Sequence, residues 1–367
     1  MTEHRVELQS IRGIAALVVV LAHCWFYYAY DPSIKLWAEA AFNAHAAVIC
    51  FFVLSGFVLT LSLERSGLGT NSLIHFFVRR GFRIYPVLWV ASALALTYPV
   101  FLIDYPLPAI VDPWWGSQAR SYPSMFTVGG AFTGVASSLK VPVWTLYIEL
   151  VGSAFMPLLV FALSRGAIAF GAVTILLIIL SQIEGWPMLL SPARYLIFFA
   201  LGAAMTRTPP ILSHLLRSPI RVILAAIGCF VVMWFSRWGF DARFLVNYNA
   251  PLPALIEGVA AAALIAVIYS SPAPFAFLRH RWSASLGDVS YSLYLLHLPI
   301  LGWIAFTLGE LLGLSVLSVA TLCASLAASV FTYRFVELPG IKLGRAAAKS
   351  IGDRYAGAGA EIVTKRS

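Results

Sequence analysis

Runs of about twenty apolar residues recur along this chain, each long enough to cross the roughly 30 Å hydrocarbon core of a bilayer as a helix. About ten can be placed, at 9–30, 44–63, 82–102, 143–164, 167–184, 191–206, 220–236, 252–270, 285–308 and 312–335. The sixth is short, follows Pro192 and contains Arg194. Hydrophobic residues make up 60% of the 367 and charged residues only 11%, with a mean hydropathy of +0.85. Soluble domains carry about 25% charged residues, and no water-soluble shape has an interior for this much apolar surface. The expected fold is an all-α polytopic membrane protein, a bundle of about ten transmembrane helices. Residues 1–341 form its membrane domain, and the basic stretch 342–367 is expected to be a disordered tail.

The net charge of +9 is distributed in short connections, which excludes a nucleic-acid footprint and reads as a topology signal. With the N-terminus inside, inner segments hold Arg5, Arg65, Arg79, Arg80, Arg83, Arg165, Arg207, Arg217, Arg221, Arg279, Arg281, Lys342, Arg345 and Lys349. Outer segments hold Lys35, Arg120, Lys140, Arg237 and Arg243. An even span count then puts both termini in the cytoplasm and the protein in the cell (inner) membrane. The basic, apolar start is read as an uncleaved first helix rather than a signal peptide. Cys24, Cys50, Cys229 and Cys323 form no CxxC pair and lie in apolar runs, so free buried thiols are expected, with neither a disulfide framework nor a metal site. The longest outer connection, about 104–142, contains Trp114 and Trp115, suited either to stacking on a sugar ring or to an interface belt. Its half-apolar part, MFTVGGAFTGVASSL, fits a re-entrant or interfacial segment.

Within the first run, IRGIAALVVVLAHCWF, Arg12 and His23 are eleven residues apart. At about 100° per residue, eleven steps return to within about 20° of the start, so both share one helix face. The rise puts His23 about 16 Å deeper, near the middle of the bilayer. An ionisable residue there is a functional candidate that faces the bundle interior; the plainer reading is a neutral histidine bonded to a neighbouring helix. RRGFRIYP places Arg79, Arg80 and Arg83 at the inner entry to the third run. Guanidinium groups bind phosphate bidentately, although anchoring to anionic headgroups uses the same residues. VPVWTLYIEL carries Glu149 inside the fourth run, with His23 one candidate partner. YSLYLLHLPI sets Tyr291, Tyr294 and His297 three apart on one helix face, as substrate contacts or as a polar seam between helices. Glu337, in FVELP, reads as a partner for an inner arginine. No Walker loop, GxGxxG, HExxH or GxSxG occurs, so ATP-driven transport and soluble-type hydrolysis find no support.

Taken in order, these motifs resemble the acyltransferase-3 family of membrane-bound O-acyltransferases, from about Leu8 to Pro339. The resemblance rests on Arg12 and His23, FFVLSGF (Phe51–Phe57), RRxxRIYP (Arg79–Pro86), WTLxxE (Trp144–Glu149) and YSLYLLH (Tyr291–His297). The chain departs from the family pattern at Gln9-Ser10, Ile49 and Leu150. The resemblance implies transfer of an acyl group, usually acetyl, from acyl-CoA to a hydroxyl of a carbohydrate or lipid-linked sugar. Acetyl-CoA is then a co-substrate, with no tightly bound cofactor. It makes His23, Arg12 and Glu149 the catalytic candidates and Arg79, Arg80 and Arg83 the donor-phosphate candidates. Trp144, Tyr291, Tyr294 and His297 become substrate-binding candidates. The competing reading is a transporter of an acyl group or lipid-linked sugar. The lipid bilayer is the surrounding partner, and a homodimer stays open.

Overall fold

The computed structural model describes residues 6–28, 33, 41–104, 106, 108–112, 122–135, 142–187, 189–207, 217–239 and 250–364. Among these the regular structure is helical, with no strand. The helices are α1 (Val6–Tyr28), α2 (Ala44–Ser66), α3 (Thr70–Phe101), α4 (Met125–Thr133), α5 (Val143–Ser164), α6 (Ala167–Ser181) and α7 (Leu196–Ala204). They continue as α8 (Pro219–Phe235), α9 (Pro251–Ser270), α10 (Arg281–Asp288), α11 (Ser290–Leu308), α12 (Leu314–Thr332) and α13 (Leu338–Thr364).

Among the described residues, seven helices are long and apolar enough to cross a membrane: α1, α2, α3, α5, α9, α11 and the continuous rod Leu314–Ile351. The expected count of about ten is therefore not met by length. The shortfall lies in the fifth, sixth and seventh runs. Helices α6 and α8 have 15 and 17 residues, or about 22 and 26 Å at 1.5 Å per residue. Helix α7 has only nine, preceded by a 3-10 turn at Ser191–Tyr195 where Pro192 stands. A second correction concerns the C-terminal stretch. Residues 342–364 are helical, not a disordered tail, and α13 follows α12 through a single π-turn at Tyr333–Glu337. Gly340 and Gly344 let α13 lie flat on α3, where a Cβ at Gly340 would stand 2.6 Å from the Phe82 carbonyl. The interfacial expectation for the 104–142 connection has a partial counterpart. Helix α4 lies against α3, with Trp89 Nε1 donating to Phe132 O at 3.1 Å and Ser92 Oγ to Ala131 O at 3.1 Å. Trp114 and Trp115 lie outside the described residues.

Helix α2 is the most buried span and is surrounded by α1, α5, α7 and α9. Small residues permit that crowding, since apolar helices gain little from mutual burial in lipid and rely on close packing. A Cβ on Gly56 would sit 2.2 Å from the Phe199 carbonyl, and one on Gly202 would sit 2.1 Å from the Val53 carbonyl. The α1–α10 contact is built likewise, with Gly13 2.6 Å from the Gly287 nitrogen by the same construction. Cys24 and Cys50 are buried free thiols, whereas Cys323 is free but exposed.

At the end of the bundle where α2 and α9 begin and α8 finishes, a buried polar cluster pins three helices. Asn43 caps α2, its Oδ1 accepting from Ala46 N at 2.9 Å, while its Nδ2 donates to Glu257 at 3.1 Å. Glu257 is fully buried and also takes bonds from Arg237 Nε at 2.8 Å and His45 Nδ1 at 2.6 Å. A carboxylate removed from water needs such partners, and breaking a buried pair from one side costs about 3–5 kcal/mol. Glu257→Ala is therefore expected to lower unfolding stability in detergent by about that amount. Glu64→Ala, which loses only the half-exposed Arg207 as partner, should cost under about 1 kcal/mol. Thermal unfolding of the two variants side by side checks the contrast.

Candidate active site

Five helices enclose a cavity of about 70 Å³, room for several waters. Helix α1 contributes Arg12; α2 contributes Val48, Phe51, Phe52 and Ser55; and α3 contributes Arg80, Arg83 and Ile84. Helix α5 adds Thr145, Leu146 and Glu149, and α11 adds Ser290, Tyr291, Tyr294 and Leu295. Five sequence motifs, with Arg12 and Leu295 at their extremes, thus line one space, and α1 is packed between α2 and α11.

The charges in this cavity do not balance. Arg80 is paired with Glu149 through Nη2, and its Nε bonds Ser153. Glu149 also accepts from Ser55 Oγ at 2.7 Å. Arg12 and Arg83 have no hydrogen bond or ion pair among the described residues, and Arg12 Nε is buried without a partner. Arg12 lies 6.0 Å from the Phe51 ring, within cation–π range. Glu337, buried in the π-turn, accepts from Ser292 at 2.7 Å rather than forming an ion pair. π-turns recur at functional sites, and this one brings an acidic group within electrostatic reach of Arg83. The hydroxyls of the wall are already committed. Tyr291 donates to Ile84 O at 2.8 Å. Thr145 donates to Pro142 O at 2.9 Å, so Tyr294 must be the donor in its 2.7 Å bond to Thr145. The unused donors of the cavity are therefore guanidinium groups, the hardware for an anion.

His23 lies along the same face of α1 as Arg12, deeper in the bundle. Its Nδ1 is 2.7 Å from His297 Nε2, and His297 Nδ1 is 2.7 Å from the Tyr294 carbonyl. His297 is fully buried. Tyr294 packs against His297 on one side and edge-on against Phe51 on the other, so it separates the arginine cavity from the histidine pair.

The candidates divide as follows. Arg12, Arg80, Arg83, Glu149, Tyr291 and Tyr294 converge on the cavity, with His23 and His297 behind it. Glu149 serves Arg80, not His23, whose partner comes from α11 instead. Trp144 is turned away, tilted against Tyr195 with 45% of its surface exposed. Arg79 is exposed on α3, where its Nε donates to the His75 carbonyl at 3.2 Å, and does not line the cavity. Both misplacements follow from helix period: a residue next to a lining position points about 100° away. Ser55 and Phe51, quoted within FFVLSGF without a role, are wall residues. A lone serine among phenylalanines was the available signal.

Residues 5–334 match the acyltransferase domain family. The chain belongs to the acyltransferase-3 family. It is a multi-pass membrane acyltransferase. Among relatives, it is similar to "Nodulation protein 10" of Rhizobium leguminosarum bv. viciae, at 25% identity over 93% of this chain and 94% of that protein. It is also similar to "Protein 2 in picA locus" of Rhizobium radiobacter, at 30% identity over 41% of this chain and 80% of that protein. No solved structure is significantly similar to the acyltransferase.

An unpaired charge inside a bundle costs stability when no ligand is bound. Arg12→Met is expected to leave the unfolding temperature of the ligand-free acyltransferase unchanged or higher. Arg80→Met, which strands Glu149, should lower it. Thermal unfolding in detergent without added ligand distinguishes the two.

Proposed function

We propose that this acyltransferase moves an acyl group, acetyl in the simplest case, from acyl-CoA to a hydroxyl of a carbohydrate or lipid-linked sugar. The observation that carries this reading is the surplus of guanidinium donors in a cavity whose Tyr294 wall packs against the His23–His297 pair. CoA combines a highly charged nucleotide end with a thin pantetheine arm. Arg83 and Arg12 would hold phosphate oxygens through charge-assisted hydrogen bonds. Arg80, steadied by Glu149, would complete the set. The arm would run inward past Tyr294 and Phe51 and bring the thioester to His23. Both termini, and with them the arginine-lined end, would face the cytoplasm, where acyl-CoA is made; the bias of Arg and Lys toward those segments supports this.

The chemistry follows from these positions. The acceptor oxygen attacks the thioester carbonyl carbon, and His23 takes the hydroxyl proton as the new C–O bond forms. The C–S bond then breaks, and the proton returns from His23 to the departing CoA thiolate. General-base assistance of this kind contributes about 10²–10⁴-fold. The name of the nodulation relative supplies no acceptor for this chain.

Donor binding is the first thing to test. Ligands that bind the native state raise apparent stability by mass action. Acetyl-CoA should raise the unfolding temperature of the detergent-purified protein and of His23→Ala, and should leave Arg80→Ala/Arg83→Ala unshifted. A folded wild type with no shift at saturating acetyl-CoA overturns the reading and favours transport without chemistry.

A further inference from the structure

The hydrogen bonds around His23 determine which of its ring nitrogens carries the proton. A backbone carbonyl can only accept, so the 2.7 Å contact between His297 Nδ1 and Tyr294 O requires an N–H on His297 Nδ1. A neutral imidazole carries one N–H, which leaves His297 Nε2 as an acceptor. The 2.7 Å contact from His23 Nδ1 to that nitrogen then needs its proton from His23. The rings are 4° from parallel with centroids 5.0 Å apart, as expected for a bond in the common ring plane, edge to edge. Neither ring is hydrogen-bonded to a carboxylate that would hold a second proton. His23 Nε2 is therefore the nitrogen with the free lone pair, and the ring's hydrogen bond among the described residues is the one through Nδ1.

We propose that His297 is a positioning residue: it accepts from His23 Nδ1–H, so that His23 Nε2 is held as the base that takes the acceptor's proton. This reassigns His297 from substrate contact, and it rests on the transferase reading above. An imidazole left to itself samples both tautomers and rotates about its side-chain bonds; a fixed acceptor on one nitrogen selects the other as the base. His297 can serve as that acceptor because its own proton is committed to the Tyr294 carbonyl on the same helix. When His23 becomes an imidazolium, its Nδ1 proton stays on the bond to His297, and its Nε2 proton is the one returned to the CoA thiolate. The pair gains one proton from the acceptor, gives one to the thiolate, and ends with the protons it began with.

The test uses three proteins, wild type, His297→Leu and His297→Gln, with release of CoA thiol from acetyl-CoA measured in native membrane vesicles that contain the endogenous acceptor. Gln keeps an acceptor oxygen for His23 and an N–H for the Tyr294 carbonyl. His297→Leu is expected to lose about 100-fold or more in kcat, the scale of a mis-set general base, with the KM for acetyl-CoA unchanged. His297→Gln should recover most of the loss. Independently of turnover, ¹⁵N solid-state NMR of histidine-labelled wild type, assigned by difference with His23→Ala, should show His23 protonated at Nδ1 and bare at Nε2. A wild-type His23 protonated at Nε2 overturns the proposal, even if His297→Leu fails to fold. So does a folded His297→Leu with unchanged kcat, or a His297→Gln as impaired as His297→Leu. If acetyl-CoA does not bind while His23 shows the Nδ1–H form, the transferase reading fails and the tautomer assignment stands.

Discussion

Arg12 sits partway along the first helix with its Nε buried and unpaired, facing a cavity that already holds two more guanidiniums and one paired carboxylate. Charge in a low-dielectric interior is tolerated only when something answers it. The rest of the site can be understood as the arrangement that keeps Arg12 and Arg83 beside the Arg80–Glu149 pair without partners of their own among the described residues. Ser55 and Ser153 bind up Glu149 and Arg80, and the wall tyrosines spend their protons on backbone and threonine. What remains available is cationic.

A second polar cluster uses the same residue types to a different end. There Glu257 gathers Asn43, His45 and Arg237 into a network that joins the starts of α2 and α9 to the end of α8. The partners of the Glu257 carboxylate are all internal and specify packing, whereas Arg12 and Arg83 have no internal partner among the described residues. That contrast separates the two clusters more clearly than their composition does, since each contains arginine and glutamate.

Close helix packing links the cavity to the deeper histidines. Gly13 and Gly287 hold α10 against α1 with backbone nearly touching backbone, and α11 begins two residues after α10 ends. The register of His297 against His23 therefore depends on that glycine contact some ten residues away. Tyr98 reinforces it from α3, reaching the carbonyls of Leu298 and Pro299 on α11. Tyr294 lies between the two compartments, so one side chain both walls the cavity and supplies the carbonyl that orients His297.

Hydropathy and helical period determined a good deal by themselves: an all-helical membrane protein, Arg12 and His23 on one face of one helix, and Arg80 and Arg83 together near its entrance. These are local consequences of composition and of 3.6 residues per turn. The same reasoning placed about ten spans, of which seven among the described residues are long enough, α6, α7 and α8 being short, and it took basic, small-residue composition after 342 for disorder where a helix lies on α3. Only the tertiary structure decided which neighbour each face meets. Glu149 went to Arg80, His23 went to a histidine 274 positions away, and Trp144 went to the outside. Periodicity fixes the direction of a side chain about its own axis, but the identity of the facing helix depends on glycine contacts and loop lengths far away in the chain, and those determine where the unanswered charge ends up.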